Sequence, residues 1–194
     1  MKTNWDLTVF YKDFDDPEFK DDLARLPKEI DAFTAAIAAP AEDEVEKLVS
    51  LVHQEEALSN LFERLSLMIG LTLSVDANNK AANAAMAPLM RAVMGSSLAS
   101  NAFSRYLASL ENLDAIIDAD DELKARAFAL REAAEDAKHQ LPEALEKPVL
   151  KMQLSGGEAF SQLRDKLDAT LLVDYDGKQI PLSAVRALAY DGDA

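Results

Sequence analysis

AEDEVEKLVSLVHQEEALSNLFERLSLMIGLTLS, residues 41–74, is the stretch whose reading decides the fold. Val45, Leu48, Leu51, Val52, Leu58, Leu61, Leu65, Met68 and Thr72 recur at helical spacing and mark one apolar stripe of a single long helix. From Leu65 to Leu73 the segment becomes apolar nearly all round, which places that end in the middle of a bundle. Pro40 closes the helix before it, and Asp76-Ala77-Asn78-Asn79 is a turn cluster after it.

Working toward the N-terminus, Asp16-Pro17-Glu18 starts a helix: Asp caps, Pro takes the first position, and Glu meets the positive end of the dipole. Phe19, Leu23, Leu26, Ile30, Phe33 and Ile37 form its apolar face, and Pro27 predicts a kink or a break. Ahead of it, Trp5, Leu7, Phe10, Tyr11 and Phe14 form an irregular arm expected to pack onto the helices.

Toward the C-terminus, a third helix is expected over residues 80–110. Its inner face is Met86, Leu89, Met90, Val93, Met94, Leu98, Phe103, Tyr106, Leu107 and Leu110, and it is weakened at Pro88 and Gly95. The Met stripe reads as core filling. Residues 112–121 read as an acidic linker. A fourth helix follows over 121–140, with Leu123, Ala127, Leu130, Ala134 and Ala137 inward, then a short one over 142–151 interrupted by Pro148.

The last third changes character. Ser155-x-x-Glu158 reads as a capping box opening a helix to Leu167, with Phe160, Leu163 and Leu167 on one face. Thr170 to Leu182 then reads as a hairpin about Asp176-Gly177, with Leu171, Val173 and Tyr175 on one face and Pro181 on an edge strand. The fold class is therefore mainly α: a bundle of long antiparallel helices with one C-terminal β-hairpin. Two regions are expected. Residues 1–153 form the bundle with its leading arm, and residues 154–194 carry the capped helix, the hairpin and the start of another helix. A lone hairpin is marginal in water, so this second region reads as part of something larger.

Composition narrows function. The 194 residues carry a net charge of −15, which argues against nucleic-acid binding, because phosphate contacts need clustered Lys and Arg. There is no Cys, so no disulfide framework or thiolate site is available, which suits a reducing compartment. The first residues lack the apolar core of a signal peptide, and no apolar run reaches the ~18 residues of a membrane span. A cytoplasmic protein with no membrane contact is expected.

Candidate chemistry is sparse. His53 and His139 are the two histidines. His53-Gln54-Glu55-Glu56-Ala57 is not the His-Glu-x-x-His of a zinc peptidase. A di-metal carboxylate bundle needs two Glu-x-x-His pairs facing inward. The chain offers Asp136-x-x-His139 and a reversed His53-x-x-Glu56, so both histidines read as surface or helix-end residues. There is no Gly-x-Ser-x-Gly elbow, and Ser155-Gly156-Gly157 lacks the Lys-Ser/Thr of a phosphate loop. The residues therefore assign no catalytic, cofactor-binding or metal site.

Several segments in order resemble the N-terminal region of oligoendopeptidase F, a family of zinc metallopeptidases related to thimet oligopeptidase. Trp5-Asp6-Leu7-Thr8 with Phe10-Tyr11 and Asp15-Asp16-Pro17 is similar to the family's opening. His139-Gln140-Leu141-Pro142-Glu143-Ala144-Leu145-Glu146 resembles its His-x-Leu-Ser-x-x-x-Glu segment, with Pro142 in place of Ser. Ser155 to Phe160, Leu163, Asp176-Gly177 and Pro181-Leu182-Ser183 resemble what precedes its catalytic region. The resemblance implies a helical lobe that packs on a catalytic domain absent from this chain and helps enclose a channel for short peptides. It also implies that the family's zinc and its His-Glu-x-x-His motif lie outside this sequence, leaving the chain inactive by itself. The rival expectation is a free-standing, non-catalytic interaction module or a decayed peptidase. If a catalytic lobe is missing, an exposed apolar patch is expected near Leu171, Val173 and the last helix, and such a patch invites self-association.

Overall fold

A computed structural model describes residues 6–188 and Tyr190; the expectation that Trp5 packs on the helices lies outside these residues. The chain divides into two compact units, residues 1–146 and 147–194.

Unit 1 is built on three long helices, α1 (Pro17–Ala38), α2 (Glu44–Val75) and α3 (Lys80–Ser109), each packed against the other two. Each start is fixed by a side chain that takes over orphan N–H groups. Asp16 accepts from the Glu18 amide at 3.0 Å, Asp43 from Val45 at 2.8 Å and Asn79 from Ala82 at 3.0 Å. Short turns then fold each helix back on its predecessor. α1 runs unbroken through Pro27, and α3 through Pro88, so neither proline ends its helix.

Most residues of the α1 and α2 stripes are buried as their spacing predicts, with Leu26, Leu48 and Leu65 fully inside, but Leu23, Val45 and Thr72 are half-buried and Leu71 is exposed at the end expected mid-bundle. The seam of α3 differs from expectation. Ala82, Ala85, Leu89, Ala92, Ala99, Phe103 and Leu107 are buried, while Met86, Met90, Val93 and Met94 are half-buried flanks. Small residues on the seam let helices approach closely, and at Gly95 α1 comes close to α3. A Cβ there would lie 3.3 Å from Ile30 Cγ2, so the glycine that weakens α3 locally is what admits α1.

Residues 112–121 are not a linker. They form α4 (Leu113–Ala119), which buries Ile117 completely. The expected fourth helix is split at Arg126 into α5 (Asp121–Ala125) and α6 (Ala127–Asp136), followed by a 3₁₀ turn at Ala137–His139. Asp120 explains why a new helix begins there, since its carboxylate accepts from the Glu122 and Leu123 amides at 2.8 and 3.1 Å. The arm is tied down by Tyr11, which is buried beside Phe19, while Leu7, Phe10 and Phe14 pack on the core.

The division between units falls within α7 (Glu143–Gln153), which passes through Pro148 without interruption. In unit 2, α7 leads through a π-helical turn, Leu154–Glu158, into α8 (Ala159–Thr170). The capping box is absent. Because the preceding residues are already helical, the first amides of α8 have backbone partners, and the Ser155 hydroxyl donates back to the Lys151 carbonyl at 3.1 Å. The Gly156-Gly157 pair sits in the widened turn, a site where helices tolerate irregularity.

The hairpin forms as expected. β1 (Leu172–Tyr175) pairs antiparallel with β2 (Lys178–Pro181), with Val173 opposite Ile180. Asp176 at φ 53° and Gly177 at φ 73° supply the two left-handed residues of the tight turn. α9 (Leu182–Leu188) packs on both strands, leaving Val173, Ile180, Leu182, Val185 and Leu188 half-buried.

Candidate functional site

The residues weighed for metal chemistry do not converge. His53 Nε2 lies 2.6 Å from Glu122 Oε2 on the outer face of α2, and both side chains are more than half exposed. Glu56, one turn on, is engaged by Arg126 Nε at 2.7 Å. His139 is exposed in the 3₁₀ turn, far along the chain from both, and Asp136 is exposed at the end of α6. Among the described residues no group of three or more His, Asp and Glu is placed to hold a metal ion. Zinc needs three protein ligands at about 2 Å; this donor set does not fit zinc, and no step through a metal follows from it.

Two buried carboxylates instead brace the fold. Asp22 is 6 % exposed on α1, where it accepts from the Tyr11 hydroxyl at 2.8 Å and from Arg25 at 2.7 Å. Arg64 of α2 lies over the Tyr11 ring and donates to Glu18 and to the Phe10 carbonyl, so one guanidinium ties arm, α1 and α2 together. Burial, and then the bond to Asp22, push the Tyr11 phenol above its ordinary pKa. Tyr106 is raised by burial and then by its bond to Glu44.

Glu146 is the second brace, at 3 % exposure in the first turns of α7. Its Oε1 accepts from Arg105 at 2.6 Å and from Asn101 at 3.0 Å, both on α3, and Arg105 reaches Gln140 as well. Its other oxygen is buried without a partner among the described residues. Periodicity gave no signal for this pair. The one hint was positional, since Glu146 closes the His139-to-Glu146 segment that resembles the peptidase family.

Two surfaces remain as candidates for binding. The first is concave. Two shallow, open depressions of about 520 and 480 Å³ lie along the N-terminal half of α2 and share Glu46, Ser50 and Gln54. Val45, Val49 and Ala57 line the first. The stripe that placed Val45 inward thus needs correction: it is half-buried and helps line this groove.

The second surface is convex. Among the described residues of unit 2 none is buried. Met152, Phe160, Leu163 and Leu167 are 71, 72, 51 and 58 % exposed. They recur at helical spacing through the π-helical turn, and Leu171, Leu172 and Tyr175 extend the exposed apolar surface into the hairpin. A regular apolar face of this kind, without cover, is a candidate interaction surface.

The described residues thus offer a helical scaffold with no grouped metal ligands and an uncovered apolar helix face beside a hairpin. Comparison with known families gives part of it a kinship. Residues 108–172 match the family model described as oligopeptidase F, which represents the N-terminal region of the M3 peptidases. That match, over about a third of the chain, supports an oligoendopeptidase F-family N-terminal region at these residues. The match takes in α4 to α8, the segment ending at Glu146 and the exposed face of α8, and stops at Leu172 before the hairpin turn. No curated protein and no solved structure matches the chain.

Proposed function

We propose that the chain is the N-terminal substrate-channel lobe of an oligoendopeptidase F-like zinc metallopeptidase acting on short peptides in the cytoplasm, and that it is inactive without the catalytic region. The observation that carries this reading is a coincidence of positions. The residues that match the family include α8, whose Phe160, Leu163 and Leu167 form a regular apolar face with nothing over it. On this reading the zinc and its ligands belong to the catalytic region, which packs on that face. The lobe contributes shape: it narrows the approach so that extended peptides pass and folded proteins do not. Where the catalytic region is lacking, the same face pairs with a second copy of the chain.

The test is direct. Purified protein, dialysed against zinc, is assayed by metal analysis and with quenched fluorescent peptides, alone and after mixing with a separately produced oligopeptidase F catalytic region. The expected result is no retained zinc and no cleavage alone, with a stoichiometric complex on mixing that Phe160→Ser and Leu167→Ser weaken. Stoichiometric zinc, cleavage by the chain alone, or a complex indifferent to both substitutions overturns the reading.

A further inference from the structure

We propose that the groove along the N-terminal half of α2 docks a cationic amphipathic peptide segment, one carrying Lys or Arg beside aliphatic side chains. The proposal is independent of the peptidase reading, because almost all of the groove lies outside the residues that match that family.

The floor selects for aliphatic groups. Val45 and Val49 sit on the core but keep part of their surface open, and Ala57 extends the same strip. The walls select for positive charge. Glu42, Asp43 and Glu46 line one end and the middle, and Asp120 lines the far side. Asp43 and Asp120 each cap a helix through Oδ1, which leaves Oδ2 without a partner among the described residues. Glu42 and Glu46 are exposed and make no ion pair there.

The cations lining the groove do not offset these charges. The Lys47 ammonium is drawn away, donating to the Ile37 and Ala39 carbonyls at 3.0 and 2.6 Å while stacked over Tyr106. His53, when protonated, is matched by Glu122. An apolar strip flanked by Glu42, Asp43 and Glu46, which have no ion pair among the described residues, and by Asp120, which Lys124 offsets only in part, favours a partner that brings its own cations, and it repels an acidic one. An ammonium on a long aliphatic stem satisfies both demands at once.

The experiment uses fluorescence anisotropy with a labelled Leu/Lys amphipathic peptide and two twins, one with every Lys replaced by Glu and one with every Leu replaced by Ser. The parent peptide is expected to bind, more weakly as salt rises. The Glu twin is expected not to bind, and the Ser twin to bind at least about tenfold more weakly, the loss of a few buried methylene groups. Glu46→Lys and Val49→Ser should each weaken the parent peptide by about tenfold, equivalent to ~1.4 kcal/mol. Glu63→Lys makes the same charge change on the same helix, nearly five turns beyond Glu46 and outside the groove, and should change binding less than about threefold. Circular dichroism melts check that each variant folds. Equal binding of the Leu and Ser peptides, or equal effects of Glu46→Lys and Glu63→Lys, overturns the proposal, because the attraction would then be the general field of an acidic protein.

Discussion

In unit 1, Leu26, Leu48, Leu65, Leu107 and Leu123 are fully buried. In unit 2, Phe160, Leu163 and Leu167 are at least half exposed, and Val173 with Ile180 is only half covered by α9. The two units have similar local chemistry, since both place apolar residues at helical spacing on amphipathic helices. Helix formation is therefore not what separates them. Unit 1 has three long helices and can turn each apolar face toward another. Among its described residues unit 2 has one helical run, a hairpin of two four-residue strands and a seven-residue helix, which is too little surface to enclose a core. Amphipathicity states that a face wants cover; only the number and length of neighbouring elements decides whether the same chain provides it.

The sharpest way to break this comparison is to cut the same side chain in each unit. Leu65→Ala removes a leucine with no exposed surface and should cost about 4 kcal/mol, the transfer term plus a cavity that three packed helices cannot fill. Leu163→Ala removes a half-exposed leucine and should change stability by no more than about 0.5 kcal/mol, with Ala's helix propensity offsetting part of the lost contact. Urea unfolding followed by circular dichroism measures both. Similar losses at the two positions would mean that unit 2 has a core of its own.

Glu146 tests where closure ends, because it is the last residue of unit 1 and the only buried residue of α7. Glu146→Ala should cost roughly 2 kcal/mol, since it removes the buried acceptor shared by the half-buried Arg105 and Asn101 and leaves Arg105 with Gln140 alone. Arg105→Met combined with Glu146→Leu should recover most of that loss, because an apolar pair of similar volume no longer carries desolvated charge. A double variant as unstable as the single one would mean that the ion pair itself, not the orphaned partner, sets the effect.

Legibility did not follow that divide; it followed how local each signal is. The long stripes of α1 and α2, the Asp16 start and the Asp176-Gly177 turn were readable because each is a local code: a period, a cap, a positive φ. α4 was not, because Leu113, Ile116 and Ile117 give barely two turns of pattern inside an acidic stretch. The α3 seam was misread because hydrophobicity ranks Met above Ala, whereas a close helix contact prefers the smaller residue, as Gly95 against Ile30 demonstrates. Ser155-x-x-Glu158 has the letters of a cap, but a cap requires a chain that is not yet helical, and that is decided by Glu143 to Gln153 upstream. The α2 groove could not be read from periodicity, since it depends on where the loop carrying Asp120 comes to rest.

The smallest effect concerns the arm, where the Tyr11 hydroxyl adds one hydrogen bond to the aromatic packing on α1. Tyr11→Phe keeps the ring against Phe19 and removes only the donor to Asp22, so it should cost about 1 kcal/mol near neutral pH. The pH dependence gives the sign. The Tyr11 phenol, like that of Tyr106, holds its proton more tightly in the folded protein than in the unfolded chain. The stability it contributes is therefore complete below the ordinary phenol pKa of about 10 and is lost as pH rises beyond it. Urea midpoints measured from about pH 8 to 11 should fall for the native chain, fall less for Tyr11→Phe, and fall least when Tyr106→Phe is added. An undiminished fall in the double variant would place the alkaline sensitivity elsewhere and leave the arm held by packing alone, which would bring it closer in kind to the half-covered hairpin of unit 2.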